Sequence, residues 1–210
     1  MVRDIICRLI DRVLGKYRVI KPIGKGGMAS VYLGEHTLLP HVVAIKCLHP
    51  RHLENESMAR RFFNEARAIA AIKHSSIIDL IDFGQEEDGT AYIVMEHLEG
   101  ESLRQRLRRV GSLCEESAIA FGRQIASGLG AAHKHGIVHR DLKPDNVFLI
   151  SDPEVRLSER AKILDFGISK QVDISVPSDE TAAGLLIGTP TYMSPEQCRG
   201  DKEIDHRTDI

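Results

Sequence analysis

Hydrophobic and polar positions change their period along this chain. Between residues 5 and 14, apolar residues recur at helical spacing with charges between them, which predicts a short amphipathic helix ended by Gly15. Such a helix packs on its own domain or binds a membrane surface or a partner, and both alternatives stay open. From Tyr17 onward, aromatic and β-branched residues indicate strands. We predict one helix over 54–73 and five strands, at 17–23, 30–36, 42–48, 77–83 and 90–96.

The second half of the chain has helical periodicity. Apolar residues at helical spacing predict helices over 102–110 and 114–135. Residues 171–187 combine Ser, Pro, Thr and Gly without periodicity, which indicates a loop too long to be a simple connection. We therefore expect an α+β protein with three parts: an amphipathic helical segment at 1–16, a small lobe at 17–98 and a mainly helical larger lobe at 99–210.

Composition narrows the class of protein. The chain has 210 residues, a formal net charge of −2 and 28% charged residues, so no overall attraction to nucleic acid or to anionic membranes is expected. Its four cysteines are far apart, without a Cys-x-x-Cys pair, which argues against a disulfide framework or a zinc site. No apolar stretch approaches the roughly 18 residues of a membrane-spanning helix. A cytoplasmic location is expected, with an anchor beyond residue 210 as an open alternative.

One short segment places a base, two cations and an amide within eight residues. It reads His139-Arg140-Asp141-Leu142-Lys143-Pro144-Asp145-Asn146, and Asp165-Phe166-Gly167 follows it. Upstream lie Val43-Ala44-Ile45-Lys46 and a glycine-rich turn between two predicted strands. Alone, that turn also fits an ordinary hairpin or a dinucleotide-binding fingerprint. A dinucleotide-binding turn opens into a helix, whereas strand character continues here from Val31.

In this order, the motifs resemble those of bacterial eukaryotic-like serine/threonine protein kinases, with Gly26-Gly27-Met28 and Ser194-Pro195-Glu196-Gln197 matching that branch in detail. The resemblance implies a two-lobed kinase-like fold: a small antiparallel β lobe with one helix, and an incomplete, mainly helical large lobe. It also implies ATP- and Mg²⁺-dependent transfer of the γ-phosphoryl group to Ser or Thr of protein substrates. Ala29 replaces the third glycine of the family's loop, and Ser194 replaces the first alanine of Ala-Pro-Glu.

The resemblance also assigns roles to single residues. Asp141 is implied as the base and Lys143 as the group that neutralises charge on the transferred phosphoryl, while Asn146 and Asp165 are the implied Mg²⁺ ligands. The remaining implied catalytic residues are Lys46, its partner Glu65, and Thr189, which is expected to bond to Asp141 and Lys143. Met95 would be the gatekeeper. The implied nucleotide-binding residues are Ile23, Gly24, Lys25, Gly26, Gly27, Met28, Ala29, Ser30, Val31, Ala44, Lys46, Met95, Glu96, Leu98 and Phe148.

Regulation is a further implication of the resemblance. Arg140 is a cation beside the base and needs an anionic partner, which a phosphate on the activation loop at 165–196 can supply. Thr181 is the first candidate for that phosphate, followed by Ser178 and Ser175. Self-association for phosphorylation between copies is expected with it.

The resemblance runs from residue 17 to residue 210 and stops where the family's long central helix should begin. Asp209 is expected to hold the backbone of the catalytic loop by charge-assisted hydrogen bonds. Without the following helices, apolar surface on the 114–135 helix would lack a packing partner. We therefore expect the 210-residue chain to be poorly soluble or weakly active and to be a fragment of a longer protein. The alternatives are a pseudokinase-like nucleotide-binding or interaction module without turnover and, less favoured, a small-molecule kinase.

Overall fold

The computed structural model describes residues 9–52, 56–166, 190–201 and 203–210. It divides into two compact units. The small unit contains the described residues up to Lys73 together with residues 78–99. The large unit contains residues 74–77 and the described residues from Gly100 onward. The loop at 171–187, with Thr181, Ser178 and Ser175, lies outside the described residues.

The small unit is built on an antiparallel sheet of six strands in the order β1-β2-β3-β4-β6-β5. The strands are β1 (Val13–Leu14), β2 (Tyr17–Lys25), β3 (Ala29–His36), β4 (Val42–Leu48), β5 (Leu80–Gln85) and β6 (Ala91–Glu96). A 3-10 turn at Pro50–His52 and helix α1 (Glu56–Ala70) follow β4. The predicted antiparallel β lobe with one helix is thus present among the described residues, and β1 adds a sixth strand to the five predicted.

The two faces of this sheet carry different cores because side chains alternate along each strand. On one face, Tyr32, Ile45 and Val94 belong to a fully buried apolar cluster. On the other face, Phe62 and Ala66 of α1 pack against Ile93. The second face also carries Lys46, which pairs with Ile93 and is predicted to bind the nucleotide.

Strand β1 corrects the prediction of a helix up to residue 14. Val13 pairs with Arg18 and Leu14 with Tyr17, and Gly15 forms the turn between them with a φ of 57°. Leu14 is fully buried in the apolar cluster of the first face. Pairing with β2 buries the Leu14 side chain and gives the backbone N–H and C=O groups hydrogen-bonding partners. Together these gains outweigh the weak helical preference of so short a segment. Residues 9–11 form a turn, so the helix prediction is wrong from residue 9 onward. Residues 1–8 lie outside the described residues, and the helix stays a prediction only there.

The large unit combines helices with a small sheet. Helices α2 (Leu103–Val110) and α3 (Glu115–Lys134) begin within one residue of the predicted positions, and α4 is a short helix at Pro195–Arg199. Strands β7 (Gly100–Ser102), β8 (Val147–Ser151) and β9 (Glu159–Ile163) form a three-stranded antiparallel sheet that periodicity did not predict. Short 3-10 turns lie at Pro144–Asn146, Pro190–Tyr192 and His206–Asp209.

Helix α3 packs against this sheet. Phe121 packs with Val147, Leu149 and Ala161 of β8 and β9 in one buried cluster. Ile119, on the apolar face predicted for this helix, is 54% exposed. Among the described residues, none of the helices combines the length and the apolar character that a bilayer-spanning segment needs.

Candidate active site

The segment from His139 to Asn146 lies between α3 and β8 and is fixed by a buried histidine. His139 is fully buried and packs against Phe166, with 4.8 Å between ring centroids. The backbone N–H of Asp141 donates to Nδ1 of His139 at 3.2 Å, so Nε2 carries the proton and donates to the Leu164 carbonyl at 2.9 Å. Burial lowers the pKa of His139, which favours this neutral form. The imidazole thereby holds the backbone on both sides of the site.

The carboxylate of Asp141 is held by two neighbours. Nζ of Lys143 donates to Oδ2 of Asp141 at 3.0 Å, and Nδ2 of Asn146 donates to the same oxygen at 3.1 Å. Nδ2 of Asn146 also donates to the backbone carbonyl of Asp141 at 2.9 Å. The side chains of Asp141 and Lys143 are 17% and 18% exposed, so they are partly shielded but within reach of a ligand. The structure therefore brings together Asp141, Lys143 and Asn146, and their roles in catalysis stay a prediction.

The backbone of this segment is strained and is held by one distant carboxylate. Arg140 has a φ of 63°, which L residues other than glycine rarely adopt. The backbone N–H groups of His139 and Arg140 each donate to the Asp209 carboxylate at 2.8 Å, and His133 donates to it through Nε2 at 2.8 Å. The Asp209 side chain is 1% exposed. The expectation that Asp209 holds the catalytic loop is therefore confirmed.

Asn146 and Asp165 are the two residues whose side-chain oxygens are predicted to bind a divalent cation. Both contacts of Nδ2 of Asn146 are to acceptors, which orients the amide and leaves Oδ1 for a metal. Asp165 follows β9, has a φ of 47° and is exposed. Within the described residues there is no cluster of three or more His, Cys, Asp or Glu side chains suited to a metal. A hard cation with two protein oxygens, completed by water and phosphate, fits this donor set.

The segment after residue 189 contacts the catalytic loop through a helix cap. Ser194 caps α4: its side chain accepts from the backbone N–H of Gln197, and its own backbone N–H donates to the Gln197 side-chain oxygen. Nε2 of Gln197 also donates to the Arg140 carbonyl at 2.7 Å. The same cap thus fixes the loop that carries Asp141. Thr189 lies outside the described residues, so its bond to Asp141 and Lys143 stays a prediction.

Arg104 of α2 adds a second link to this segment. Its guanidinium donates to Asp145 at 3.2 Å and to the Tyr192 hydroxyl at 2.7 Å, and it lies 5.4 Å from the Tyr192 ring centroid. The sequence predicts a helix here but gives Arg104 no role. Arg104, Gln197 and His133 are the residues whose contacts the sequence did not reveal, because each joins segments far apart in the chain.

In the small unit, one row of paired residues crosses the sheet face that carries Ile93. Val31 of β3 pairs with Lys46 of β4, and Lys46 pairs with Ile93 of β6. One row further, Ala44 pairs with Met95. Directly opposite residues share a face, and so do residues two apart in one strand. Val31, Ala44, Lys46 and Met95 therefore face the same side, as a shared ligand requires.

The glycine-rich turn joins β2 to β3. Gly24 pairs with Val31, and Lys25 with Ser30, while the backbone N–H of Gly26 donates to the Ala29 carbonyl at 2.9 Å. Strand β3 continues from this turn, which excludes the dinucleotide-binding alternative. Ile23 is 45% exposed at the end of β2. A turn with this backbone can approach an anionic group closely because Gly26 and Gly27 carry no side chains.

Glu96, Leu98 and Phe148 are predicted to contact the nucleotide, and Glu65 is predicted to pair with Lys46. The backbone N–H of Glu96 donates to the Asp79 carbonyl at 3.0 Å, so the prediction for Glu96 now concerns its carbonyl oxygen. Leu98 is half-buried after β6, and Phe148 is a half-buried residue of β8 in the large unit. Glu65 belongs to α1, and its side chain lies outside the described residues.

A sequence model of the protein kinase domain matches residues 17–210. The chain belongs to the protein kinase family. This kinase chain is 43% identical over 196 residues to serine/threonine-protein kinase pkn2 of Myxococcus xanthus and 41% identical over 196 residues to pkn3 of the same organism. It is 36% identical over 189 residues to PrkC of Bacillus subtilis. These matches cover 93%, 93% and 90% of the chain but only 23%, 35% and 28% of the three relatives.

Solved structures agree with this family assignment. The crystal structure of the Mycobacterium tuberculosis PknI kinase domain matches with a TM-score of 0.71 at 29% identity, over 95% of this chain and 69% of that one. A double mutant of the same domain matches with a TM-score of 0.72 at 27% identity, over 95% and 70%. The predicted kinase-like fold is confirmed by these matches.

Proposed function

We propose that this chain carries the catalytic site of a serine/threonine protein kinase, which transfers the γ-phosphoryl group of ATP to a hydroxyl of a protein substrate. The observation that carries the proposal is the double contact of the Asp141 carboxylate with Lys143 and Asn146. The relatives named above are serine/threonine-protein kinases, which supports the same reaction. Lys143 followed by Pro144 and Asp145 favours Ser and Thr over Tyr as acceptors.

Phosphoryl transfer is catalysed mainly by positioning and by charge stabilisation. Asp141 accepts the proton of the substrate hydroxyl, and its contacts with Lys143 and Asn146 fix the direction in which it faces the acceptor. Lys143 neutralises charge that develops on the transferred group. The buried His139 and the Asp209 carboxylate hold the backbone beneath these side chains, so little reorganisation is needed during the reaction.

Nucleotide and metal binding are proposed for the two residue sets described above. A bound Mg²⁺ would neutralise the β- and γ-phosphates, held by Asn146 and Asp165. Lys46, which the sheet places beside Val31, would bind phosphate and be oriented by Glu65. Val31, Ala44 and Phe148 would enclose the adenine, with Met95 as gatekeeper and the backbones of Glu96 and Leu98 as its hydrogen-bonding partners. The glycine-rich turn at 24–29 would cover the phosphates.

Regulation by phosphorylation is part of the proposal. Within the described residues, the Arg140 guanidinium has no ion pair, although the residue lies beside Asp141. A phosphate on Thr181, or on Ser178 or Ser175, would supply an anion for Arg140. Transfer between two copies of the chain is the proposed route.

A labelled-ATP assay tests the reaction. Wild type should label a protein acceptor, Asp141→Ala should not, and both should bind nucleotide. Glu154→Gln, a change at an exposed turn, is the matched control and should keep wild-type labelling. Equal labelling by wild type and Asp141→Ala would refute the kinase proposal, whereas nucleotide binding without labelling by any variant would favour the module without turnover.

A phosphopeptide map tests the regulation. Wild type incubated with Mg·ATP should carry phosphate between residues 171 and 187. Transfer between two copies makes the initial rate of phosphorylation second order in protein concentration, whereas a first-order rate would indicate transfer within one copy. An unmodified loop in an active preparation would refute phosphorylation there. Arg140→Ala should remove the gain in activity that loop phosphorylation produces, while leaving the phosphate itself detectable.

A further inference from the structure

His49, which follows β4, forms hydrogen bonds with the glycine-rich turn and with the beginning of β3. The backbone N–H of His49 donates to the Met28 carbonyl at 2.9 Å. The His49 side chain then bonds through Nε2 to Oγ of Ser30, at 2.9 Å. His49, three residues after Lys46, thus contacts the turn through its backbone and the beginning of β3, next to the turn, through its ring.

Ser30 was predicted to contact the nucleotide, but the sheet places its side chain elsewhere. Ser30 pairs with Cys47, whereas the adjacent Val31 pairs with Lys46. Neighbouring residues of a strand point to opposite faces, so the Ser30 hydroxyl lies on the face away from Lys46. Ser30 is 2% exposed, and a buried hydroxyl needs a hydrogen-bonding partner. His49 is that partner.

The turn itself has few steric restraints. A Cβ built on Gly27 would meet no atom within 4 Å, and Gly26 would meet only the Ala29 carbonyl oxygen, at 3.2 Å. Glycine at these positions gives the backbone a wide conformational range. Binding of a phosphate by such a turn is weakened by the entropy of ordering it, unless contacts outside the turn restrict the backbone beforehand.

We propose that His49 and Ser30 form a positioning pair that holds the glycine-rich turn in the conformation that binds the phosphates of ATP. The inference rests on the proposed nucleotide site. Neither side chain touches the nucleotide: the pair acts on the turn through the Met28 carbonyl and the Ser30 backbone. The ring-to-hydroxyl bond forms with either protonation state of His49, since a hydroxyl both donates and accepts.

Calorimetric titrations with Mg·ATP and with adenosine test the pair in the 210-residue chain. Ser30→Ala and His49→Ala should each raise the dissociation constant for ATP about threefold to tenfold, as expected for the loss of one hydrogen bond. Affinity for adenosine should stay unchanged, because adenosine has no phosphate for the turn to bind. Ser30→Ala/His49→Ala should bind ATP no more weakly than the weaker single variant, since both remove the same bond.

His36→Ala is the matched control. His36 lies at the other end of β3 and accepts from the backbone N–H groups of Leu38 and Leu39, at 3.1 and 3.2 Å. Its removal should leave the ratio of ATP to adenosine affinity unchanged. Ser30→Thr retains the hydroxyl and should restore ATP affinity, which separates the proposed role from loss of folding.

Three results would overturn the inference: unchanged ATP affinity in the single variants, an equal loss of affinity for ATP and adenosine, or additive effects in the double variant. If wild type binds neither ligand, the proposed function fails and the positioning role with it. If wild type binds both ligands and the variants match it, the positioning role alone is refuted.

Discussion

Replacement of Asp209 by asparagine tests how the catalytic loop is held. The carboxylate accepts three hydrogen bonds, from the backbone N–H groups of His139 and Arg140 and from the His133 ring, each at 2.8 Å. Asparagine has nearly the same shape but only one acceptor oxygen, and its NH₂ group would face a donor. The change therefore keeps the volume and removes the charge together with at least one bond.

The size of the effect follows from these bonds. A hydrogen bond to a charged group contributes about 1.5 to 3 kcal/mol, and a neutral one about 0.5 to 1.5 kcal/mol. Losing one bond and weakening the others should lower the free energy of unfolding by about 2 to 4 kcal/mol. Alanine would remove all three and cost roughly 5 kcal/mol, comparable with the whole stability of many domains. Asp209→Asn is thus the variant that can be measured.

Urea denaturation followed by circular dichroism gives the stability, and amide hydrogen exchange gives the local effect. Asp209→Asn should lower the unfolding free energy and speed exchange at the His139 and Arg140 amides, and the relaxed Arg140 backbone should reduce phosphoryl transfer. Asp205→Asn is the control: that carboxylate is exposed and caps the Arg207 N–H, so its loss should be far smaller. Unchanged protection of both amides in Asp209→Asn would refute the reasoning.

Other predictions concern the sheet and the buried histidine. Gly100→Ala should lower the free energy of unfolding by more than about 2 kcal/mol, since a Cβ at its φ of 155° would overlap a β8 carbonyl oxygen. Gly122→Ala, in open space on α3, should leave the stability unchanged or raise it. Equal urea midpoints for the two variants would contradict this. Gln124→Met should speed exchange at the Ala161 amide, which donates to Gln124 at 2.7 Å, and cost about 1 to 2 kcal/mol; unchanged exchange would contradict it. Stability should fall as the pH drops below about 6.5, because burial lowers the pKa of His139 and the unfolded chain then binds a proton that the folded chain does not. His139→Asn should flatten the dependence of the melting temperature on pH between about pH 7.5 and 5.5. An equally steep dependence would count against this role.

Much of the fold was predictable because its signals are local. Helix α2 begins after Ser102, whose capping box with Gln105 is formed by residues three apart. Helix α3 ends at Lys134, within a residue of its predicted end. Strand β1 was mistaken for helix, and β7 to β9 were missed, because short strands take their stability from partners distant in the chain. Their residues alone do not specify which segment will pair with them.

The candidate site shows the same division. The sequence by itself determined its chemistry: a base, a lysine, an amide and an acid in the order of a protein kinase. The family resemblance also predicted that Asp209 holds the catalytic loop, whereas only the tertiary structure decided the other contacts around these groups. Gln197 donates to the Arg140 carbonyl from 57 positions away, and the pleat of β3 turns Ser30 away from Lys46 toward His49. Residue identity sets what a side chain can do, whereas its direction and its partners depend on contacts between segments far apart in the chain.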